Sequence, residues 1–292
     1  MLDFRVETFL TVCKTMNFTK AAEILHITQP AVSQHIHGLE RQYDAQFFYY
    51  KGKQLTLTEA GRLFLQTAAT MRHDAIYLKD SIHQLGSKRP LRFGATLTVA
   101  QYVMPGPLGR LLQKEPDRKL QMQAANTSEL LTLLNQGEID FAIVEGFFAK
   151  QAYDSLPFDT AKYYPVCSPS YFQGALPVTA EELLNERLLV REAGSGTRQV
   201  LERALEDRNL TLEDFRRTAE LGSLETIKTL VSMGAGISFF YEPVIKRELS
   251  EGSLIPIPLK GFPILHDFTF LWRKNSVFGD EYKKIYEFLK KG

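Results

Sequence analysis

Apolar positions in the first sixteen residues recur at helical spacing, with Phe9, Val12, Cys13 and Met16 on one stripe. Residues 18–40 then read as two short helices joined by a tight turn. Thr19 is placed to cap the first, which carries Ala21, Ala22, Ile24 and Leu25. His26-Ile27-Thr28 makes the break. Thr28 caps the second helix, and Pro30 stands in its first turn, where a missing N–H costs nothing. Val32, Ile36 and Leu39 lie at i, i+4 and i+7 and face inward, so Gln29, Ser33, Gln34 and His37 point out.

Further along, Phe47-Phe48-Tyr49-Tyr50 and Gln54-Leu55-Thr56-Leu57 read as two strands around a Lys51-Gly52-Lys53 tip. Thr58-Glu59-Ala60-Gly61 opens a helix expected to run to Leu85. In it Phe64, Ala68, Met71, Ala75, Leu78, Ile82 and Leu85 alternate spacings of four and three, a heptad seam suited to pairing with a second chain. Residues 86–90 break it. Beyond them short apolar strands (91–94, 120–125, 141–144) alternate with helical stretches (99–113, 128–135). The alternation returns over 164–168, 181–185, 188–191, 197–208, 224–233, 236–240 and 268–272, which predicts two α/β lobes on a largely parallel sheet.

Composition excludes several classes. No apolar run in the 292 residues reaches membrane-spanning length, and the N-terminal stretch reads as an amphipathic helix rather than a signal peptide. Cys13 and Cys167 fall in different predicted domains without metal-ligand company, which suits reduced thiols in a cytoplasm. Net charge is +1, yet residues 1–89 carry eleven Lys and Arg against eight Asp and Glu. Attraction to nucleic acid would therefore rest on a few placed contacts, doubled by dimerisation. The outward Gln and Ser side chains suit base edges, Gln pairing bidentately with adenine, and Lys51 and Lys53 suit phosphates. An ordinary αα-hairpin with a solvated face is the alternative.

The chain resembles the LysR-type transcriptional regulators over nearly its whole length. The resemblance is carried by Phe18-Thr19-x-Ala21-Ala22-x-x-Leu25, Thr28-Gln29-Pro30-Ala31-Val32-Ser33, Leu39-Glu40 and Leu57-Thr58-x-Ala60-Gly61. It implies a winged helix-turn-helix over 1–57, a dimerising linker helix over 58–86 and a hinge over 87–90. A two-lobed α/β effector domain like the periplasmic binding proteins follows over 91–292, with lobe 1 about 91–162 and 267–292 and lobe 2 about 163–266. The DNA-facing set is then Thr19, Gln29, Pro30, Ala31, Ser33, Gln34, His37, Lys51 and Lys53. Tyr43-Asp44 replaces the family's Leu-Gly, Tyr50 stands where an Arg is usual, and His37-Gly38 replaces the more usual basic or polar pair. These departures bear on the operator sequence rather than the fold.

Ligands in α/β sheets sit at the carboxyl ends of strands, which singles out four loops. They hold Thr96 and Thr98; Asn126 and Thr127; Gly194, Ser195, Gly196, Thr197 and Arg198; and Ser223. Helix starts there suit an anion. The motif Arg191–Arg198 and the Val144-Glu145-Gly146 triplet resemble the branch that includes regulators of sulfur assimilation and carbon fixation. That resemblance implies a small anionic or zwitterionic effector and adds Glu145 to the set. No cofactor or metal is expected. Partners are double-stranded DNA, the effector, a second copy through the linker helix and, by resemblance, a dimer of dimers and RNA polymerase, with activation as the favoured sign. Competing readings are an enzyme on the same lobes, for which no Ser/His/acid set is visible and His266 is a packed or surface side chain, a transport solute-binding protein, and a DNA-binding protein without effector.

Overall fold

The computed structural model describes residues 3–83 and 89–291. They form two compact units. One runs to Arg89 and includes Asn135–Glu138 and Arg273–Phe278; the other holds the rest of the α/β region.

The first unit begins with α1 (Phe4–Thr15), α2 (Phe18–Leu25) and α3 (Gln29–Gln42). Asn17, not Thr19, caps α2. Its backbone is extended, and its side-chain oxygen accepts from the N–H groups of Thr19 at 2.9 Å and Lys20 at 3.0 Å. Thr19 lies inside the first turn, where its N–H is one of those needing a partner. Thr28 caps α3 as expected, accepting from Ala31 N at 3.3 Å. Val32, Ile36 and Leu39 are buried in one core with Phe9, Val12, Ala21, Ala22 and Phe47. The wing is β1 (Phe48–Lys51) against β2 (Gln54–Leu57), antiparallel with Lys51 opposite Gln54. The turn is therefore Gly52-Lys53, one residue shorter than the predicted tip.

Helix α4 (Glu59–His83) corrects the expected seam. Phe64 and Ala68 pack on the unit's own core. Thr70, His73 and Tyr77 are buried on another face. There Thr70 Oγ1 donates to Lys274 O at 3.2 Å, and the Tyr77 and Phe278 rings are 4.1 Å apart. Of the seam's described residues, only Met71, Ala75, Leu78 and Ile82 remain exposed. The chain supplies a second core that the sequence argument did not foresee, because residues 135–138 and 273–278 lie far away along it. Leu85 and the hinge residues Gly86, Ser87 and Lys88 lie outside the described residues.

In the second unit come β3 (Leu91–Ala95), a π-helical turn (Val99–Val103), α5 (Pro105–Lys114), β4 (Leu120–Ala124), α6 (Thr127–Gln136) and β5 (Phe141–Val144). They are followed by β6 (Tyr153–Cys167), β7 (Arg187–Arg191), α7 (Gly196–Glu206), β8 (Arg217–Leu221), α8 (Leu224–Ser232) and β9 (Ser238–Tyr241). The chain closes with α9 (Glu242–Glu251), β10 (Ile255–Pro256), β11 (Ile264–Arg273) and α10 (Gly279–Lys290).

The expected single helix over 99–113 is split, because Pro105 has no N–H to continue the ladder and instead starts α5. Residues 181–185 hold only a 3-10 turn, Glu181–Leu183. The main sheet is mixed rather than largely parallel. Its order is β10-β6-β11-β5-β3-β4, with β9 on β6; β3 pairs parallel with β4 and β5, whereas β5–β11, β6–β9 and β6–β10 are antiparallel. β7 and β8 pair parallel in a separate sheet. Stacked Phe93, Phe141 and Phe270 rings, with centroids 5.0 and 4.5 Å apart, fill the middle of the larger sheet.

Candidate functional site

On the first unit, Gln29, Pro30, Gln34 and His37 along α3 are exposed, and Ala31 and Ser33 are partly so. Gln29 Nε2 donates to Ser33 Oγ at 3.0 Å, so one turn of α3 presents a pre-oriented amide and hydroxyl. His37 Nδ1 lies 3.2 Å from Glu40 Oε2, and Glu40 Oε1 accepts from Phe47 N at 2.8 Å, tying the end of α3 to the start of the wing. Thr19 on α2 and Lys51 and Lys53 at the wing tip are exposed as well. The core beneath fixes this face, and its side chains are polar, short or cationic. That suits groove edges and phosphate oxygens.

In the second unit, parallel register aligns the ends of β3, β4 and β5. Ala95 lies opposite both Ala124 and Ile143, so Thr96, Asn126-Thr127 and Glu145 emerge side by side. The start of α7 comes to meet them. A Cβ built on Gly196 would stand 2.6 Å from both Glu145 Cγ and Gly146 N, and one on Gly146 would stand 2.5 Å from Thr127 Oγ1. Only glycines allow this approach. Gly194 takes φ 89° beside the Asn126 amide. Thr197 Oγ1 donates to Glu145 Oε1 at 2.6 Å, and Gln199 Oε1 accepts from Phe147 N at 3.1 Å.

Thus Asn126, Thr127, Glu145, Gly194, Gly196 and Thr197 converge. Thr96, Thr98 and Ser195 are buried beside them; Ser195 occupies the cap position of α7 without making a cap bond. Arg198 and Ser223 do not join. Arg198 spends its guanidinium on Glu202 and Glu220, each bond about 2.7 Å or less, and on Arg191 O, while Ser223 is exposed and caps α8 through Thr226 N.

The interior of this cleft is polar and under-satisfied. Thr96 Oγ1, Thr127 Oγ1, Tyr241 OH and Glu145 Oε2 are buried without a hydrogen-bond partner in the chain. Burial raises the pKa of Glu145 above the ordinary carboxylate range, against the opposing pull of Thr197, Thr98 and Arg191. The Thr98 hydroxyl lies close enough to favour the ionised form without the alignment of a full hydrogen bond. Arg191 itself pairs with Glu192 at 2.7 Å.

Two tyrosines the sequence did not single out, Tyr163 and Tyr241, complete the wall with His266. Tyr163 OH donates to Thr197 O at 3.0 Å. The Tyr241 ring lies 4.9 Å from that of Tyr163. His266, read from sequence as a packed or surface side chain, is half-buried with Nε2 2.6 Å from Glu145 O; burial lowers its pKa, so the neutral ring donates there. Among the described residues no group of three or more His, Cys, Asp or Glu is placed to hold a metal ion, and no helix is long and apolar enough to cross a membrane.

Comparison with known proteins assigns both units. A family profile described as a bacterial regulatory helix-turn-helix protein of the lysR family matches residues 5–62, and one described as the LysR substrate binding domain matches residues 84–292. Bacillus subtilis CysL, an HTH-type transcriptional regulator, is 27% identical over 91% of this chain and 89% of its own length. A probable RuBisCO transcriptional regulator of Cyanidioschyzon merolae is 31% identical over 80% of this chain and 79% of its own. The crystal structure of ArgP from Mycobacterium tuberculosis shares the fold with a TM-score of 0.65 at 21% identity, covering 100% of this chain and 98% of that one. The chain belongs to the LysR family of transcriptional regulators, joining a helix-turn-helix DNA-binding unit to an α/β effector-binding domain.

Proposed function

We propose that this regulator binds a small anionic or zwitterionic metabolite in the cleft between its α/β lobes and thereby controls a gene of sulfur or carbon metabolism. The observation that carries the reading is the convergence of three strand-end loops on Glu145, with buried hydroxyls of Thr96 and Thr127 left unpartnered. Ligand closure over such a cleft shifts the population between two arrangements of the reader helices on DNA.

In this scheme residues 1–57 read DNA through Thr19, Gln29, Pro30, Ala31, Ser33, Gln34 and His37, with Lys51 and Lys53 on phosphates. Residues 58–86 pair two chains, 87–90 form the hinge, and 91–292 hold the effector. The exposed strip of Met71, Ala75, Leu78 and Ile82 supports the pairing, since four apolar side chains on one helix face favour a partner over water. Assembly as a dimer of dimers, activation through RNA polymerase and a cytoplasmic setting complete the proposal.

Footprinting of the purified protein on the DNA upstream of its own gene, with competitor DNA and with or without small acids, tests it. Paired half-site protection whose spacing changes with a small acid is the expected result. Protection indifferent to every small acid leaves a DNA-binding protein without effector.

A further inference from the structure

Resting on that reading of the cleft, the geometry points to the class of ligand it accepts. We infer that the effector is a small acid carrying a hydrogen-bond donor next to its anionic end, an amino acid or a hydroxy acid, and that a fully deprotonated oxyanion such as sulfate is rejected.

The start of α7 is the natural anion position, and the chain's own carboxylate occupies it. Glu145, 2% exposed, takes the Thr197 hydroxyl at 2.6 Å through Oε1. Among the described residues no Lys or Arg lies within 4.0 Å of it, and the cations nearby are engaged: Arg191 with Glu192, and Arg198 with Glu202 and Glu220. Its other oxygen, Oε2, is buried and accepts no aligned hydrogen bond from the protein, the nearby Thr98 hydroxyl included.

A carboxylate oxygen so placed requires a proton from elsewhere. A second full anion set against the ionised carboxylate would meet like charge in a site of low polarisability and bring nothing for Oε2 to accept, whereas a donor offsets the cost that burial already places on that charge. An ammonium or hydroxyl group supplies the missing donor.

The rest of the cleft asks for the opposite partner. Thr96 Oγ1, Thr127 Oγ1 and Tyr241 OH are each nearly inaccessible to solvent, unpartnered and able to donate. Thr127 opens α6, whose backbone N–H groups and dipole favour negative charge. Asn126 already satisfies Glu129 N, so the Thr127 end remains for a ligand. The same cluster therefore holds an unfilled acceptor and unfilled donors, and a molecule with an ammonium or hydroxyl beside a carboxylate matches both.

The test is thermal denaturation of the full-length protein with each of the twenty L-amino acids, with glycolate and L-lactate, and with acetate and sulfate. A raised midpoint with at least one amino or hydroxy acid, and none with acetate or sulfate, is expected. Which group responds distinguishes the ammonium from the hydroxyl source. Glu145→Gln keeps an acceptor for Thr197 but loses the charge; it should lose that selectivity and admit sulfate. Stabilisation of the unaltered protein by sulfate or acetate as strong as by any donor-bearing acid overturns the inference while leaving the cleft as the effector site. Selectivity unchanged in Glu145→Gln also overturns it. Silence of both proteins toward every probe overturns the cleft reading with it.

Discussion

The DNA-reading face and the effector cleft are built by opposite rules. On α3 the candidate contacts are exposed or partly so, come from about two and a half continuous turns of helix and rest on a well-packed core. In the cleft the candidate contacts are buried or half-buried, come from four separate segments (96–98, 126–127, 145 and 194–197) and include polar atoms that the protein leaves without partners. A reading face can be rigid because its ligand is large, hydrated and approached from outside. A small metabolite must instead be wrapped, so its site is assembled only where two lobes touch and stores unpaired polar groups for the ligand to satisfy.

Breaking the lobe contact should have the largest effect. Gly196→Val drives side-chain carbon into Glu145 and Gly146, which lie within 3 Å of where its Cβ must go. We expect loss of any ligand-induced change in the footprint, together with destabilisation of about 1–3 kcal/mol by denaturant titration, while protection by the ligand-free protein persists. Retained ligand response would show that the lobes tolerate separation at this point and that the cleft does not depend on their contact.

Next in size, Gln34→Ala should weaken binding to the specific site by about 1–3 kcal/mol in a competition assay, the range of one good base contact. Non-specific binding and ligand-induced stabilisation should not change. Thr98→Ala and Ser195→Ala should do the reverse. A folded variant of any of the three that loses both activities would sink the division of labour between the two units.

The same contrast explains what could be read from the residues alone. Helical periodicity is local, so Val32, Ile36 and Leu39 announced the buried face of α3 and, by subtraction, its reading face. Glycine and hydroxyl residues after strands marked the loops of the cleft. Their convergence was not local: nothing in the spacing brings Gly146 to Gly196, or His266 to the carbonyl of Glu145. The first half of β6 escaped because Asp154, Ser155, Pro157 and Asp159 interrupt its apolar pattern where one face is exposed. The cap of α2 was misread by two residues because both Asn17 and Thr19 are good caps, and only backbone conformation decides between them. The seam on α4 was half right for a further reason: a heptad pattern records which positions avoid water, not which surface covers them.

A smaller effect sharpens the reading face. If Lys51 and Lys53 touch phosphates, each change to Ala should lower the slope of log K against log salt by about 0.9 without altering sequence preference. A change in preferred sequence would move the wing from backbone positioning to base readout.

The smallest effect lies in the cleft and is a matter of pH. Burial, partly offset by the bond to Glu145 O and by Asp267, holds the pKa of His266 below that of a free imidazole. The unfolded chain therefore binds a proton there before the folded protein does. The stability tied to this neutral ring is complete above pH of about 6.5 and is lost as pH falls below it. Glu145 works in the other direction, because burial raises its pKa, so the folded protein keeps that proton to higher pH than the unfolded chain does and the stability tied to it is lost as pH rises. His266→Gln keeps a donor for the Glu145 carbonyl and removes the titration. It should flatten the dependence of the denaturation midpoint on pH between about 5 and 7, in the acid-stabilising direction, while leaving the midpoint at pH 8 nearly unchanged. An unaltered slope would mean that the imidazole is protonated in the fold as easily as in the unfolded chain. The contact with Glu145 would then have to be made by a ring that can take up its second proton within the cleft.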